Sequence, residues 1–213
     1  MATQPLKAKK IKFLLVWIIA NSIGGFLIGF LENNGAQFMA TLFFSGAIIG
    51  SLQWVVFRWM GTKGLQWTLW PIASALGWII STALSSLPIS LDSLIGTLVS
   101  QTGLWEVFWL NLLLQPIWII CMAIVQSMIL GYRTRRRGRI LGVWLAASCL
   151  GAAIHGATSA VLCSQFCQTL PRPLVGIVEA KGWAVYGIIT GLALLWTLNQ
   201  RLANDNKSLR RIS

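Results

Sequence analysis

The sequence predicts an all-α fold: a polytopic transmembrane bundle of six helices in a single domain, read as three same-sense helical hairpin repeats. Three observations predict it. The 213-residue chain is 56% hydrophobic and only 10% charged, with a mean hydropathy of +0.71, where a soluble domain carries about 25% charge. Six apolar runs approach the roughly 20 residues needed to cross a bilayer. The basic residues collect at the two ends and in alternate gaps between these runs.

The six runs are Ile11–Leu31, Ala36–Phe57, Trp67–Leu87, Trp105–Leu130, Ile140–Leu162 and Trp183–Leu198. The first follows Lys7, Lys9, Lys10 and Lys12. It is longer than the core of a secretory leader and no convincing small-x-small site follows, so it reads as an uncleaved helix. In the third, Pro71 suits a first helical turn, where its missing N–H costs nothing, so the regular helix is expected to begin near Trp70. The fourth is long enough to be tilted or to start in the interface. Between the third and fourth, Pro88–Gly103 carries Ile89, Leu91, Leu94, Ile95 and Leu98, enough for a short interfacial helix. Cys163–Gly182 is read as a second long loop on the same side.

All Lys and Arg except Arg172 and Lys181 fall on one side of this topology. The positive-inside rule puts that side, and both termini, in the cytoplasm. Arg133, Arg135, Arg136, Arg137 and Arg139 form the densest cluster. The plainer reading is a topogenic loop; the functional one is contact with anionic lipid or an acidic partner, at about 1 kcal/mol per residue near a charged leaflet. The net charge of +12 does not imply nucleic-acid binding, because this run is too short for a binding domain and topology accounts for it.

The odd-numbered runs share a spacing of Trp, Ala three later and Gly seven later: Trp17, Ala20, Gly24; Trp70, Ala73, Gly77; Trp144, Ala147, Gly151. The even runs echo more weakly, with Gly46 and Gly50 in the second, Gly187 and Gly191 in the sixth, and Gln53 level with Gln126. Small residues on one face let helices approach closely in lipid, and same-sense repeats imply an axis along the membrane normal. The motif Trp residues, with Trp54, Trp59, Trp67 and Trp196, are expected in the cytoplasmic aromatic belt with wet N–H groups, and Trp105, Trp109 and Trp183 in the outer one.

Few polar residues lie at depth. His155 is the sole histidine, on a stripe with Ala147, Gly151 and Ser159. It is a neutral packed imidazole or a ligand to haem or pigment. Asn21, Ser74 and Ser148 occupy equivalent repeat positions, and with Trp78 and Trp118 near mid-depth they are the ligand-binding candidates; helix packing is the alternative for each. Cys163 and Cys167 are spaced for a disulfide, expected to need a non-helical turn, and no Cys/His spacing suggests a metal site. With one histidine, no carboxylate cluster and no acid placed against His155, the chain reads as no enzyme.

The segment Gly46-Ala-Ile-Ile-Gly-Ser-Leu-Gln-Trp-Val-Val-Phe-Arg58 and the later Trp70-Pro-Ile-Ala-Ser-Ala-Leu-Gly-Trp78 resemble a group of uncharacterised Trp/Gly-rich six-span membrane proteins of cyanobacteria and related bacteria. The resemblance covers about 35 residues, and Gln126 departs from it in being followed by Ser127. It implies a bacterial inner or thylakoid membrane and no activity. The expected role is a non-catalytic accessory or scaffold component of a membrane assembly, with other membrane subunits as partners. The alternative is a small-solute carrier or the substrate-binding subunit of a transporter.

Overall fold

The computed structural model describes residues 4–61, 65–85, 91–132 and 136–209, with side chains for 8–61, 67–84, 91–132 and 136–200. Arg133, Arg135 and the predicted end of the third run at Leu87 lie outside the described residues. The described chain is all-helical: α1 Gln4–Leu31, α2 Gln37–Met39, α3 Ser45–Trp59, α4 Leu65–Thr68, α5 Trp70–Ser85, α6 Asp92–Thr102, α7 Glu106–Gly131, α8 Arg137–Phe166 and α9 Gly176–Leu209. A widened, π-helical turn over Ala40–Phe44 joins α2 to α3.

Six long helical segments form the bundle, and each packs on its neighbours in chain order: α1 on α3, α3 on α5, α5 on α7, α7 on α8, α8 on α9, and α9 back on α1. The result is a closed ring of alternating direction. Gly24 meets Ile49, Gly50 meets Ser74, Gly77 meets the backbone of Met122, Gly156 that of Asn111, Gly151 meets Tyr186, and Gly187 meets Ile18. A side chain at these positions would collide with the neighbouring helix, which is why small residues recur there.

Four apolar helical stretches are long enough to cross a membrane: Ala8–Trp59, Glu106–Gly131, Arg137–Phe166 and Arg172–Gln200. The first, of 52 residues, is a hairpin. It reverses at Asn34 and Gly35, where Gly35 has φ +93° and a side chain would be strained. Trp70–Leu84 is equally apolar but shorter. Ile11, Leu15, Ile19 and Ile23 on α1, and Ile72, Leu76 and Ile80 on α5, form outward apolar rows that are about half exposed. Water disfavours such surface and acyl chains do not.

Helix α5 begins at Trp70 with Pro71 in its first turn, as expected. The short helix expected in Pro88–Gly103 is α6, closed by Gly103 at φ +73°; it rests against α7, with Trp109 Nε1 donating to Thr102 Oγ1 at 3.2 Å. The loop expected over Cys163–Gly182 is mostly helix. Its first residues finish α8 and its last seven begin α9, which leaves a short connection around Arg172–Leu174.

The aromatic-belt expectation is corrected for five Trp residues. Trp17, Trp70 and Trp144 are 0% exposed, and Trp67 and Trp183 are buried too. They fill the ring: Trp17 packs on Phe57 at 5.4 Å between centroids, Phe57 on Trp70 at 4.9 Å, and Trp70 on Trp144 at 5.8 Å. Trp17, Trp70 and Trp144, with Phe13, Phe57 and Tyr186, are the largest fully buried side chains, and they close the centre of a six-helix ring whose helix contacts are lined by glycine. Trp54, Trp59 and Trp196 do sit at the basic end, paired with Arg58, Lys12 and Arg139, as an interfacial cation–π collar would require, but the Trp54 N–H is buried and not wet as expected.

Candidate functional site

Two polar constellations stand out, one on the axis and one at the acidic end of the ring, where Glu32 and Glu179 lie. The axial one crosses four helices. Asn21 Nδ2 donates to Trp17 O at 2.8 Å, and Gln53 Nε2 donates to Asn21 Oδ1 at 2.9 Å. Gln53 Oε1 accepts from Trp70 Nε1 at 2.9 Å and from Gln126 Nε2 at 3.4 Å; Gln126 Nε2 also reaches Ser74 Oγ at 2.8 Å. Asn21, Gln53, Ser74 and Gln126 supply its four polar side chains, and all six residues named are fully buried. Asn21 and Ser74, two of the three equivalent positions, therefore meet through the glutamines. Ser148 does not join them. Its hydroxyl and the Tyr186 hydroxyl face each other without an aligned hydrogen bond, and the Trp144 Nε1 and the Gln126 Oε1 have no hydrogen-bond partner among the described residues. The pair equivalent to Gln53–Trp70, namely Gln126–Trp144, is unformed because Gln126 turns toward Ser74.

The second constellation is a cleft of about 520 Å³ among α7, α8 and the start of α9. Its wall includes Trp105, Asn111, Ser159, Ser164, Gln168, Glu179 and both cysteines of a Cys163–Cys167 disulfide. The cysteines are not in a non-helical turn, as the sequence reading required. Cys163 lies in the last turn of α8, and the Cys167 N–H donates to the Cys163 carbonyl at 3.0 Å. A helical i, i+4 pair brings the two Cα atoms to 4.6 Å, inside the range a disulfide spans.

Glu179 sits in the first turn of α9, where the helix dipole favours an acid. Its Oε2 lies 3.8 Å from His155 Nε2 and accepts from Ser159 Oγ at 3.5 Å. This corrects the expectation that no acid faces His155. The sequence reading assigned Glu179 to a loop, and the missed signal was periodic: Gly176, Glu179, Gly182, Trp183, Tyr186, Gly187, Thr190 and Gly191 mark one face of a helix that starts well before Trp183.

His155 is 3% exposed. Its ring packs on Trp183 at 4.9 Å, and its Nδ1 lies against the Gly182 backbone without an aligned hydrogen bond. A haem or pigment needs open space beyond one ring nitrogen. Here one nitrogen faces Glu179 and the other a helix backbone, so the residues present do not fit that role. Nor do they form an activated nucleophile, because Ser159 donates to the carboxylate and not to the imidazole. Among the described residues no group of three or more His, Cys, Asp or Glu could hold a metal ion.

The remaining candidates separate. Trp78 is buried, donates to Thr41 O at 2.6 Å and packs on Trp183, which ties it to the wall behind His155. Trp118 is half-buried on α7 and lines no part of the cleft. Of the arginine cluster, Arg136 Nη1 donates to Gln200 Oε1 at 3.1 Å and Arg139 covers Trp196 at 5.1 Å; both fasten α8 to α9 at the basic end. Compared with family models, curated proteins and solved structures, the chain matches none.

Proposed function

We propose that the chain binds a small polar solute at its outer face, as a small-solute carrier or the substrate-binding subunit of a transporter. The acidic-end cleft carries this reading. Its volume falls within the roughly 300–1,000 Å³ usual for small-molecule sites, and a carboxylate and several hydroxyl and amide groups converge on it. The reading is non-catalytic, because Ser159, the cleft hydroxyl that meets Glu179, does so only at 3.5 Å and makes no hydrogen bond to His155. The closed ring and the Trp, Ala and Gly spacing support three hairpin repeats about one axis: Gly24, Gly77 and Gly151 each meet the helix that follows their own.

The orientation is part of the proposal. The basic residues favour a cytoplasmic basic end. The disulfide supports the same assignment, since such bonds persist in an oxidising compartment and this one lies at the acidic end, while Cys121 and Cys149 within the bundle are free. A bacterial inner or thylakoid membrane is the setting implied. In intact spheroplasts, a membrane-impermeant maleimide is expected to label Cys163 and Cys167 only after reduction; labelling that requires permeabilisation would reverse the orientation.

Function is tested by purification from the native membrane in mild detergent, with mass spectrometry of the intact particle. A stoichiometric small molecule, lost in variants of the cleft, supports solute binding. Stoichiometric partner subunits with no small molecule would return the chain to an accessory or scaffold role.

A further inference from the structure

The chemistry of the cleft wall selects among solutes, and this inference rests on the cleft being the solute site. Three of its polar groups can only accept hydrogen bonds. Ser164 donates its one proton to Val161 O at 2.8 Å, Ser159 donates its own to Glu179, and an ionised Glu179 has none. Asn111 directs one amide N–H to Val107 O at 2.8 Å, which leaves its carbonyl oxygen and a second N–H for a ligand, and Gln168 adds an amide with both donor and acceptor atoms. Glu179 is also short of positive charge. Among the described residues the one basic nitrogen within 4 Å of it is Nε2 of the buried His155, a cation only when protonated. Lys181, two residues on, lies over the Phe166 ring at 5.7 Å, and Arg172 is exposed and outside the cleft wall.

Further negative charge surrounds the site. Glu32, near enough to Glu179 for the two charges to repel, is held by Thr41 Oγ1 and not by a cation. Glu106 lies between the lining residues Trp105 and Val107 in the chain. Glu179 keeps 26% of its side chain exposed, and a carboxylate partly withdrawn from water is costly unless a charge of opposite sign is supplied. The one aromatic in the wall, Trp105, is 40% exposed and offers a ring face of the kind that attracts ammonium and guanidinium groups. A wall richer in acceptors than in donors, a carboxylate with no fixed cation beside it among the described residues and an indole face favour one ligand class.

We infer that the outer cleft takes a small organic cation rich in N–H donors, a primary ammonium or guanidinium compound, with Glu179 as its counter-ion. Anionic solutes meet the Glu179 carboxylate there. Apolar solutes would strand the acceptors.

The test uses the full chain in nanodiscs of zwitterionic lipid, with saturable thermal shifts and calorimetry. The probes are agmatine and spermidine as cations, myo-inositol as a neutral solute, succinate as an anion and calcium chloride as a metal. Agmatine or spermidine is expected to bind, with affinity at least tenfold weaker in Glu179→Gln. Asn111→Lys, which places an ammonium in the wall at a surface-accessible position, is expected to abolish that binding, and it decides the matter if Glu179→Gln does not fold. Binding of inositol or succinate, unchanged in Glu179→Gln and without cation binding, overturns the cation assignment and leaves solute capture standing. Calcium binding lost in Glu179→Gln, without amine binding, replaces the organic cation with a metal. Silence from every probe, together with native protein that carries no small molecule, overturns both the cation assignment and solute capture.

Discussion

Replacing Gln53 with leucine tests whether the axial amide network holds the ring together. Gln53 makes three interhelical hydrogen bonds: to Asn21, from Trp70 and from Gln126. In Gln53→Leu, Gln126 keeps Ser74 as a partner, and Asn21 keeps its bond to Trp17 O. The Trp70 N–H and the Asn21 Oδ1 are orphaned. Each buried orphan costs about 1–3 kcal/mol, whereas interhelical hydrogen bonds in membrane proteins average roughly 0.6 kcal/mol because the denatured chain finds other partners. Two orphans at a site with 0% exposure therefore cost between about 1 and 6 kcal/mol, and we expect about 2–3 kcal/mol. Ser148→Ala is the control. Its hydroxyl is equally buried but makes no aligned hydrogen bond, facing only the Tyr186 hydroxyl, so its loss is expected to change stability by less than about 0.5 kcal/mol or to raise it. The assay is reversible denaturation in mixed micelles, followed by tryptophan fluorescence. If the two variants fall within about 0.5 kcal/mol of each other, the network is not what positions the four helices, and the argument from buried hydrogen bonds fails.

Three further outcomes are expected. Trp70→Phe should destabilise by about 1 kcal/mol more than Trp144→Phe in the same assay, because both lose similar packing and only the first orphans a hydrogen bond to Gln53. Gly156→Leu should cost at least about 1–3 kcal/mol and give aggregated material on gel filtration, since its side chain would enter the Asn111 backbone; Gly142→Ala, which meets open space, should be neutral or slightly stabilising. Burial, opposed by the Thr41 hydrogen bond, holds the Glu32 carboxyl above its ordinary 4.5. The folded protein thus binds that proton more tightly than the unfolded chain, and stability falls as pH rises from the unfolded value through the folded one. Glu32→Gln should raise the melting temperature at neutral pH and flatten that part of the profile.

Much of the ring was legible because hydropathy sets helix number and small residues set contact faces. The Trp-Ala-Gly spacing in three helices located the faces, whereas Gln53 and Gln126 read only as repeat equivalents, and their contact across the axis emerges from the structure. Depth was harder. A Trp near the end of an apolar run satisfies either an interface or a core, and sequence carries no sign of which until the helices are seen to enclose a centre that needs filling. The His155–Glu179 pair was hidden by a boundary error: 24 residues separate them, and an acid assigned to a loop has no defined face. Pro116 lies inside α7 without ending it, a tolerance that neighbouring helices supply within membranes and that local propensity would not forecast.

The position of the cleft relative to the axis bears on what kind of solute protein is proposed. Below the cleft, His155 and Trp183 are buried, and Trp183 packs on Tyr186 at 5.1 Å. Farther along, the amide network and then the rings of Trp17, Phe57, Trp70 and Trp144 occupy the centre. A passage for solute would have to part helices at seams where glycines bring backbones together: α5 on α7 at Gly77, α7 on α8 at Gly156, and α9 on α1 at Gly176. Such seams have no flexible side chain to swing aside, so opening one means moving a whole helix. Conduction through the ring as it stands is therefore the less economical reading. Capture at one face, with translocation left to a helix-scale rearrangement or to an energy-coupling partner, requires only the groups that the cleft already presents.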